Sequence, residues 1–279
     1  MGSPVRRAAV AGAWYPGDAE QLVSEVELYL SGVPTRDLPG RLLGLISPHA
    51  GLRYSGPVAA HGYALLRGRS PLTAVMVGPS HHDAFDGVAV VTRGAFQTPL
   101  GQVPIDEPLA AALLDPGLNI VEEPRPHQEE HCLEMQLPFL QHLVPDLKIV
   151  PMLMGSQARS EVEALAGALA EAVVGRGDVL LVASSDLSHY HPAKQASILD
   201  ALVMRDLETF DEDGLMARLE ASHGHACGGG PMVAVMKAAR RLGANRATVL
   251  KYADSGDVPG GDKRRVVGYL SAALWRQQP

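Results

Sequence analysis

The chain has 279 residues, of which 46% are apolar and 20% are charged, and its formal net charge at neutral pH is -7. This length lies near the upper limit for one hydrophobic core and predicts a single domain over residues 1–279. The negative charge argues against a sequence-independent nucleic-acid-binding protein, which needs a basic face to neutralise phosphates.

The chain also has few features of a secreted or membrane-bound protein. It contains two cysteines, which are too few to stabilise a chain of this length with disulfides and favour a reducing compartment. The short apolar run near the start ends at Pro16, and no signal-peptide cleavage site follows it. No apolar run approaches the roughly 20 residues needed to cross a bilayer. We therefore expect a cytoplasmic protein with no membrane or nucleic-acid partner.

Short apolar runs alternate with amphipathic helical patterns along the chain. The runs that predict strands are residues 42–47, 74–78, 87–92, 147–154, 178–184, 247–253 and 266–274. The patterns that predict helices are residues 18–30, 56–67, 106–114, 130–143, 158–174, 193–209 and 229–242. This alternation predicts a three-layer α/β fold, in which a mostly parallel or mixed central sheet is flanked by helices on both faces.

Three of the predicted strands end directly before reactive side chains. In chain order these are His49, His81, His82, Asp186 and His189. In open α/β sheets ligands bind at the carboxyl ends of the strands, so these side chains converge if the strands are parallel neighbours. A single histidine after a strand is usually an ordinary loop residue, and only the three strand ends together predict a site. Adjacent side chains point in opposite directions, so only one of His81 and His82 should face it, and spacing leaves the choice open.

Cys227 lies in a glycine-rich turn, directly before the predicted helix 229–242. A thiol at a helix N-terminus is close to the positive end of the helix dipole, which lowers its pKa. Cys227 is therefore a candidate metal ligand or nucleophile, although a small buried thiol beside a turn would have the same pattern. Cys132 instead lies within the predicted helix 130–143, where we interpret it as a packing residue.

His131 and Glu134 lie one turn apart in the same predicted helix and so share a face. They could line the crevice, either as an acid–base pair or as groups that support the metal ligands, but a solvated helix face would show the same spacing. His82 is a further candidate for a supporting group. His223 and His225, which precede Cys227, are interpreted as loop residues that bind no metal.

These residues fall in motifs that resemble those of the Memo family, also known as the B component of the AmmeMemoRadiSam system. The matching segments extend over nearly the whole chain and are AGAWYPGD (11–18), PHAG (48–51), GPSHH (78–82), FQTPLG (96–101), EEHCLEMQLPFL (129–140), SSDLSHY (184–190), CGGGP (227–231), YADSGD (252–257) and RVVGYLSAAL (265–274). The resemblance implies a fold like that of class III extradiol ring-cleaving dioxygenases, which hold non-haem Fe(II) with two histidines and a carboxylate.

The resemblance also implies a ligand set. The family's metal ligands correspond to His49, His81 and Cys227, which selects His81 over His82 by analogy, and Asp186 and His189 match positions that line the same cavity. The third ligand is a thiolate where the dioxygenases have a carboxylate, which argues against ring cleavage of a catechol. Thiolate favours softer ions such as Cu(I) or Zn without excluding iron, so we expect iron or copper, with zinc as an alternative.

From this resemblance we expect a metal-dependent, dioxygenase-like oxidoreductase with one mononuclear site, acting on a small molecule that the sequence does not identify. His189 would act as general acid or base, and Asp186 would orient a histidine or a bound water. The alternative is a non-catalytic module that binds a peptide or anion in the same crevice with help from Arg53, and a cysteine-nucleophile or zinc hydrolase is a third reading. The family name implies partner proteins of AMMECR and radical-SAM type.

Overall fold

A computed structural model describes residues 4–34, 38–222 and 224–277. Its strands are β1 (Val5–Arg6), β2 (Gly40–Ser47), β3 (Leu72–Pro79), β4 (Val88–Val90), β5 (Ala95–Thr98), β6 (Gly101–Pro104), β7 (Ile120–Glu122), β8 (Leu147–Met154), β9 (Val179–Ser184), β10 (His189–His191), β11 (Arg246–Asp254) and β12 (Val266–Gln277). Its α-helices are α1 (Ala19–Ser31), α2 (Leu52–Tyr63), α3 (Glu107–Ala112), α4 (Leu137–Leu143), α5 (Arg159–Val173), α6 (Ala193–Glu208), α7 (Glu212–Ala221) and α8 (Gly229–Arg241).

The described residues form one nine-stranded mixed sheet and one three-stranded sheet. The large sheet has the order β10-β12-β2-β9-β3-β8-β4-β7, with β11 paired to β12, and the small sheet has the order β1-β5-β6. At the centre of the large sheet β2, β9, β3 and β8 are parallel neighbours. On the two sides of this group β12 runs antiparallel to β2, and β4 runs antiparallel to β8. The predicted α/β fold with a mixed central sheet is confirmed.

Helices cover both faces of the large sheet. Gly44 of β2 lies against Val235 of α8, whereas the next residue, Leu45, lies against Gly62 of α2. Because successive residues of a strand point to opposite faces, α8 and α2 are on opposite sides of the sheet. The helices α1 and α4 pack with α2, and α5 and α7 pack with α8. Strands enclosed in this way are buried on both faces, as all eight residues of β3 are, which explains their continuous apolar sequences.

The seven predicted strands and most of the predicted helices are present, but the predicted helix 130–143 is wrong over its first half. Residues 130–133 are not helical, residues Glu134–Gln136 form a 3-10 turn, and α4 begins at Leu137. Pro138 has no N–H to donate to the carbonyl of Glu134, so a continuous α-helix through this region loses a hydrogen bond. The strands β1, β5, β6, β7 and β10 have two to four residues each and are too short to show a periodic pattern.

None of the helices in the described part of the chain combines the length and the apolar character that crossing a bilayer requires.

Candidate metal centre

The parallel order β2-β9-β3 places the carboxyl ends of three strands at one edge of the sheet. His49 follows β2 and His81 follows β3, and their ring centroids are 5.1 Å apart in an edge-to-face arrangement. His131 enters from the loop before α4, with its ring centroid 5.5 Å from that of His49 and 4.6 Å from that of His81. One ligand nitrogen from each of these three residues, the histidine cluster, lies within 4.8 Å of the other two.

The hydrogen bonds of Ser184, the last residue of β9, fix the tautomer of His49. The Ser184 hydroxyl lies 2.8 Å from the carbonyl oxygen of Cys132, and this carbonyl can only accept. Ser184 Oγ also accepts from the side-chain amide of Gln136 at 2.8 Å. A hydroxyl has one hydrogen, so the His49 Nδ1 atom at 2.9 Å from Ser184 Oγ must be the donor. The lone pair of His49 is therefore on Nε2, on the side of the ring that faces the cluster.

Glu130 contacts His81 in this site, and the sequence interpretation did not single it out. Its Oε2 accepts from the backbone N–H of His81 at 2.6 Å, and its Oε1 lies 2.9 Å from His81 Nδ1. Oε1 also accepts from the backbone N–H groups of His131 and Cys132 at 2.9 and 3.0 Å. Burial alone would raise the pKa of Glu130, but the hydrogen bonds and the electrostatic interaction with His81 hold it well below its usual range. The ionised carboxylate leaves Nδ1 of His81 as a donor and Nε2 free to bind a metal.

Electrostatics keep the two buried imidazoles of the cluster neutral. Burial, with a further contribution from His81, lowers the pKa of His49 to about 3. Burial, with a further contribution from His49, also lowers the pKa of His131 to about 3. Neutral imidazole is the form that binds metal ions, so both rings are in the binding-competent state at neutral pH.

Cys227 approaches the cluster from the turn before α8. Its Sγ lies 3.2 Å from His49 Nε2, and the backbone N–H of Asp186 donates to Sγ at 3.3 Å. Among the described residues, however, Cys227 belongs to none of the trios whose ligand atoms are all within 4.8 Å of one another. The expected low pKa of this thiol is wrong: burial and the nearby Asp186 carboxylate raise the pKa of Cys227. The helix dipole does not overcome desolvation here, so the sulfur is a thiol until a cation stabilises its thiolate form.

The side-chain amide of Gln157 holds the turn that carries Cys227. It donates to the carbonyl of Cys227 at 2.7 Å and accepts from the backbone N–H of Gly230 at 2.7 Å. Gly228 N–H donates to Ser185 Oγ at 3.0 Å. A Cβ at position 228 would run into the carbonyl oxygen of Ser184 and lie 2.8 Å from Ser185 Cβ. A glycine is therefore needed for the turn to approach the end of β9.

Asp186 and His189 line the same cavity, which has a volume of about 900 Å³, as the histidine cluster and Cys227. Asp186 Oδ1 accepts from the backbone N–H of His49 at 2.8 Å, and burial raises the pKa of this carboxyl to about 6. His189 Nδ1 lies 2.7 Å from the carbonyl oxygen of Leu187 and therefore donates to it, which leaves the lone pair on Nε2. Arg53 and three partly exposed aromatic residues complete the wall, namely Trp14, Tyr54 and Tyr190.

Glu134 does not line this cavity, contrary to one of the predicted roles, and it is not on a solvated helix face either. Its fully buried carboxylate pairs with Arg6, accepts from the Tyr15 hydroxyl at 2.6 Å, and accepts from the backbone N–H of Ala9 at 2.8 Å. Because residues 130–133 are not helical, His131 and Glu134 do not share a face in the predicted manner. Glu134 instead anchors the N-terminal segment, which carries Trp14 onto His131 with ring centroids 4.3 Å apart.

The remaining predicted residues have more peripheral positions. His82 is exposed, and its ring centroid lies 6.3 Å from that of His131, on the outer side of the cluster. Cys132 is buried, and its thiol donates to the carbonyl of Pro79 at 3.2 Å, as expected of a packing residue. His225 is buried beside the turn, and His223 lies outside the described residues.

Residues 6–273 match the family described as Memo-like protein. A MEMO1 family protein from Methanosarcina mazei is 39% identical over 269 residues, which cover 96% of this chain and 98% of that protein. A MEMO1 family protein from Thermotoga neapolitana is 36% identical over 280 residues, covering 97% and 99%. An uncharacterized protein from Escherichia coli K12 has a similar fold, with a TM-score of 0.54 and 15% identity over 84% of this chain and all of the other. The similarity at sequence level extends through every segment that builds the centre, and the chain belongs to the Memo family.

Proposed function

We propose that the protein is a metal-dependent redox enzyme in which His49, His81 and Cys227 bind one transition-metal ion. The observation that carries the proposal is the 3.2 Å approach of Cys227 Sγ to the Nε2 atom of His49. Ser184 holds the other nitrogen of this ring as a donor, so the imidazole lone pair faces the sulfur. The Nε2 lone pair of His49 and the sulfur of Cys227 are therefore held side by side at the cavity wall, where both can bind one soft or borderline cation.

The donors fit such an ion chemically. Two neutral imidazoles and a thiolate suit iron, copper or zinc, and they do not suit magnesium or calcium, which prefer oxygen ligands. When bound, the ion would supply one-electron chemistry or polarise a substrate oxygen. Glu130 and Ser184 fix the tautomers of His81 and His49, so both donors are ready without rearrangement.

Asp186 and His189 would act on a substrate bound in the cavity. The Nε2 lone pair of His189 is free to take a proton from a substrate group, because its Nδ1–H is engaged by Leu187. Asp186 holds the backbone of His49 through its Oδ1 and the sulfur of Cys227 through its own N–H. It therefore positions two of the proposed ligands relative to each other.

A non-catalytic binding module remains the second candidate, because Arg53 lies in the cavity wall with three aromatic side chains. This combination suits an anionic or aromatic peptide ligand. The raised pKa of Cys227 disfavours the cysteine-nucleophile version of the third reading, because the thiolate is the reactive form; it does not bear on the zinc-hydrolase version.

Metal analysis of anaerobically purified protein tests the proposal. We expect about one equivalent of a transition metal in the wild type and less than about a tenth in His49→Ala. His142→Ala is the matched control, because His142 lies in α4 and faces Glu27, away from the cavity. A wild type without stoichiometric metal would contradict the site. A wild type that binds only zinc and shows no change of oxidation state with ascorbate or ferricyanide would contradict the redox role alone.

A further inference from the structure

His131 lies close to two of the three proposed ligands, although it is not one of them. Among the described residues, the trio of His49, His81 and His131 has its ligand atoms within 4.8 Å of one another. We infer that His131 is a fourth ligand, so that three imidazoles and one thiolate hold the ion. This inference rests on the proposed function, because it concerns the same ion.

One oxygen of Glu130 lies beside the Nδ1 atoms of both His81 and His131. Its Oε1 lies 2.9 Å from Nδ1 of His81 and 3.3 Å from Nδ1 of His131. The two rings are stacked, with an interplanar angle of 27° and centroids 4.6 Å apart. Because Nδ1 of each ring lies next to the same carboxylate oxygen, Nε2 is in each ring the nitrogen that is farther from Glu130. A carboxylate that holds Nδ1 and leaves Nε2 free is the usual support of a metal-binding histidine.

His49 closes the group from the side. Its ring is nearly perpendicular to both others, at 83° to His81 and 84° to His131, with centroids 5.1 and 5.5 Å away. Its Nε2 carries the lone pair, because Nδ1 donates its hydrogen to the Ser184 hydroxyl. One ring nitrogen of each of the three histidines thus lies within 4.8 Å of the other two, and Cys227 Sγ lies beside this group, 3.2 Å from His49 Nε2.

The ring of His131 is also held in place before any ion binds. It lies between the rings of Trp14 and His81, with centroids 4.3 and 4.6 Å away. Trp14 belongs to the N-terminal segment that Glu134 anchors through the backbone N–H groups of Ala9 and Val10. Ligands held in the binding geometry by packing and hydrogen bonds lose little entropy when the ion arrives.

The two ligand sets differ in what remains after Cys227 is removed. With His131 as a ligand, Cys227→Ser keeps three imidazoles, a number that holds zinc-type ions in proteins. If His131 is not a ligand, Cys227→Ser keeps only two imidazole ligands. Its affinity for the ion is then no higher than that of a variant that also lacks His131. The ligand count can therefore be read from cysteine variants without any assay of activity.

Anaerobic titration with Co²⁺ is the test, because the thiolate charge-transfer band and the ligand-field bands report sulfur and geometry separately. We expect Cys227→Ser to lose the charge-transfer band and still bind about one equivalent, and Cys227→Ser/His131→Phe to bind less than about a tenth of an equivalent. His131→Phe should keep the charge-transfer band, change the ligand-field bands, and raise the Kd more than about 100-fold, beyond the 10- to 100-fold typical of losing a supporting group. Phenylalanine preserves the stacking between Trp14 and His81, so lost packing does not explain these changes.

His142→Ala is the control, because His142 lies in α4 beside Glu27, away from the cavity, and its replacement should leave the spectrum and the Kd unchanged. A His131→Phe protein with wild-type bands and affinity would overturn the inference, as would a Cys227→Ser protein that binds no Co²⁺. Failure of the proposed function is a different result, because the wild type itself would then bind no Co²⁺.

Discussion

Glu130 contacts His81 at two points, through the ring and through the backbone. Oε1 lies 2.9 Å from the ring Nδ1, and Oε2 accepts from the backbone N–H at 2.6 Å. The two contacts together fix the position, the rotation and the tautomer of a proposed metal ligand. The carboxylate does this from the loop before α4, 49 positions away in the chain.

Replacing Glu130 by glutamine should weaken metal binding about 10- to 100-fold, the range typical of groups that support a ligand. A glutamine has one NH₂ group where the carboxylate has an oxygen. Whichever way the amide is turned, a donor then faces a donor, at the backbone N–H of His81 or at Nδ1–H. Competition with a chromophoric chelator measures the change. Glu129→Gln, the exposed neighbour, should bind as the wild type does, and an unchanged affinity in Glu130→Gln would show that His81 needs no carboxylate.

Replacing Glu134 by glutamine should destabilise the protein by about 3–5 kcal/mol, because it leaves the buried guanidinium of Arg6 without its counter-charge. Both side chains of this pair are almost completely inaccessible to solvent. Urea denaturation measures the loss of unfolding free energy. Glu208→Gln, at the exposed end of α6, is the control and should change the stability by less than about 0.5 kcal/mol. A comparably small change in Glu134→Gln would mean that the ion pair does not anchor the N-terminal segment.

His127 should make the protein lose stability in acid. Burial lowers the pKa of His127 to about 4 from its ordinary value of 6.5, and the ring lies 3.0 Å from the carbonyl of Ala89 as a neutral donor. Between these pH values the unfolded chain binds a proton that the folded chain does not. The contribution of His127 to the free energy of unfolding is therefore complete above pH 6.5. It decreases by about 3 kcal/mol as the pH falls to 4.

The variant His127→Gln isolates this contribution from the other groups that titrate in acid. The introduced amide still offers a donor to the carbonyl of Ala89, and it does not titrate. Urea denaturation at pH 7.5 and pH 4.5 should therefore show a smaller loss of stability in His127→Gln than in the wild type, by up to about 3 kcal/mol. Equal losses in the two proteins would contradict the assignment of a neutral buried ring.

The sequence predicted the sheet and the strand-end residues better than it predicted their partners. His49, His81 and Asp186 follow long buried strands, whose continuous apolar runs are visible without any structure. Cys227 lies 178 positions from His49, and no local pattern brings them together, so only the resemblance to the Memo family joined them. The role of Glu130 was not predicted, because the sequence pattern indicated a helix over residues 130–143 and residues 130–133 are not helical. The available signal was that Glu130 directly precedes the candidate His131. The adjacent Glu129 is also acidic, so sequence alone does not decide which of the two carboxylates contacts a histidine.

Replacing Gly228 by alanine should displace the turn that carries Cys227 and so weaken metal binding. The new methyl group would run into the carbonyl oxygen of Ser184 and approach Ser185 Cβ to 2.8 Å. The backbone of Ser184 and Ser185 cannot move away without disturbing the end of β9. We expect a loss of about 1–3 kcal/mol in stability and a weaker thiolate charge-transfer band with Co²⁺. Gly177→Ala is the matched control, because a Cβ there meets no atom within 4 Å. If both variants kept the wild-type band, the close approach of the turn to β9 would not determine the position of the sulfur.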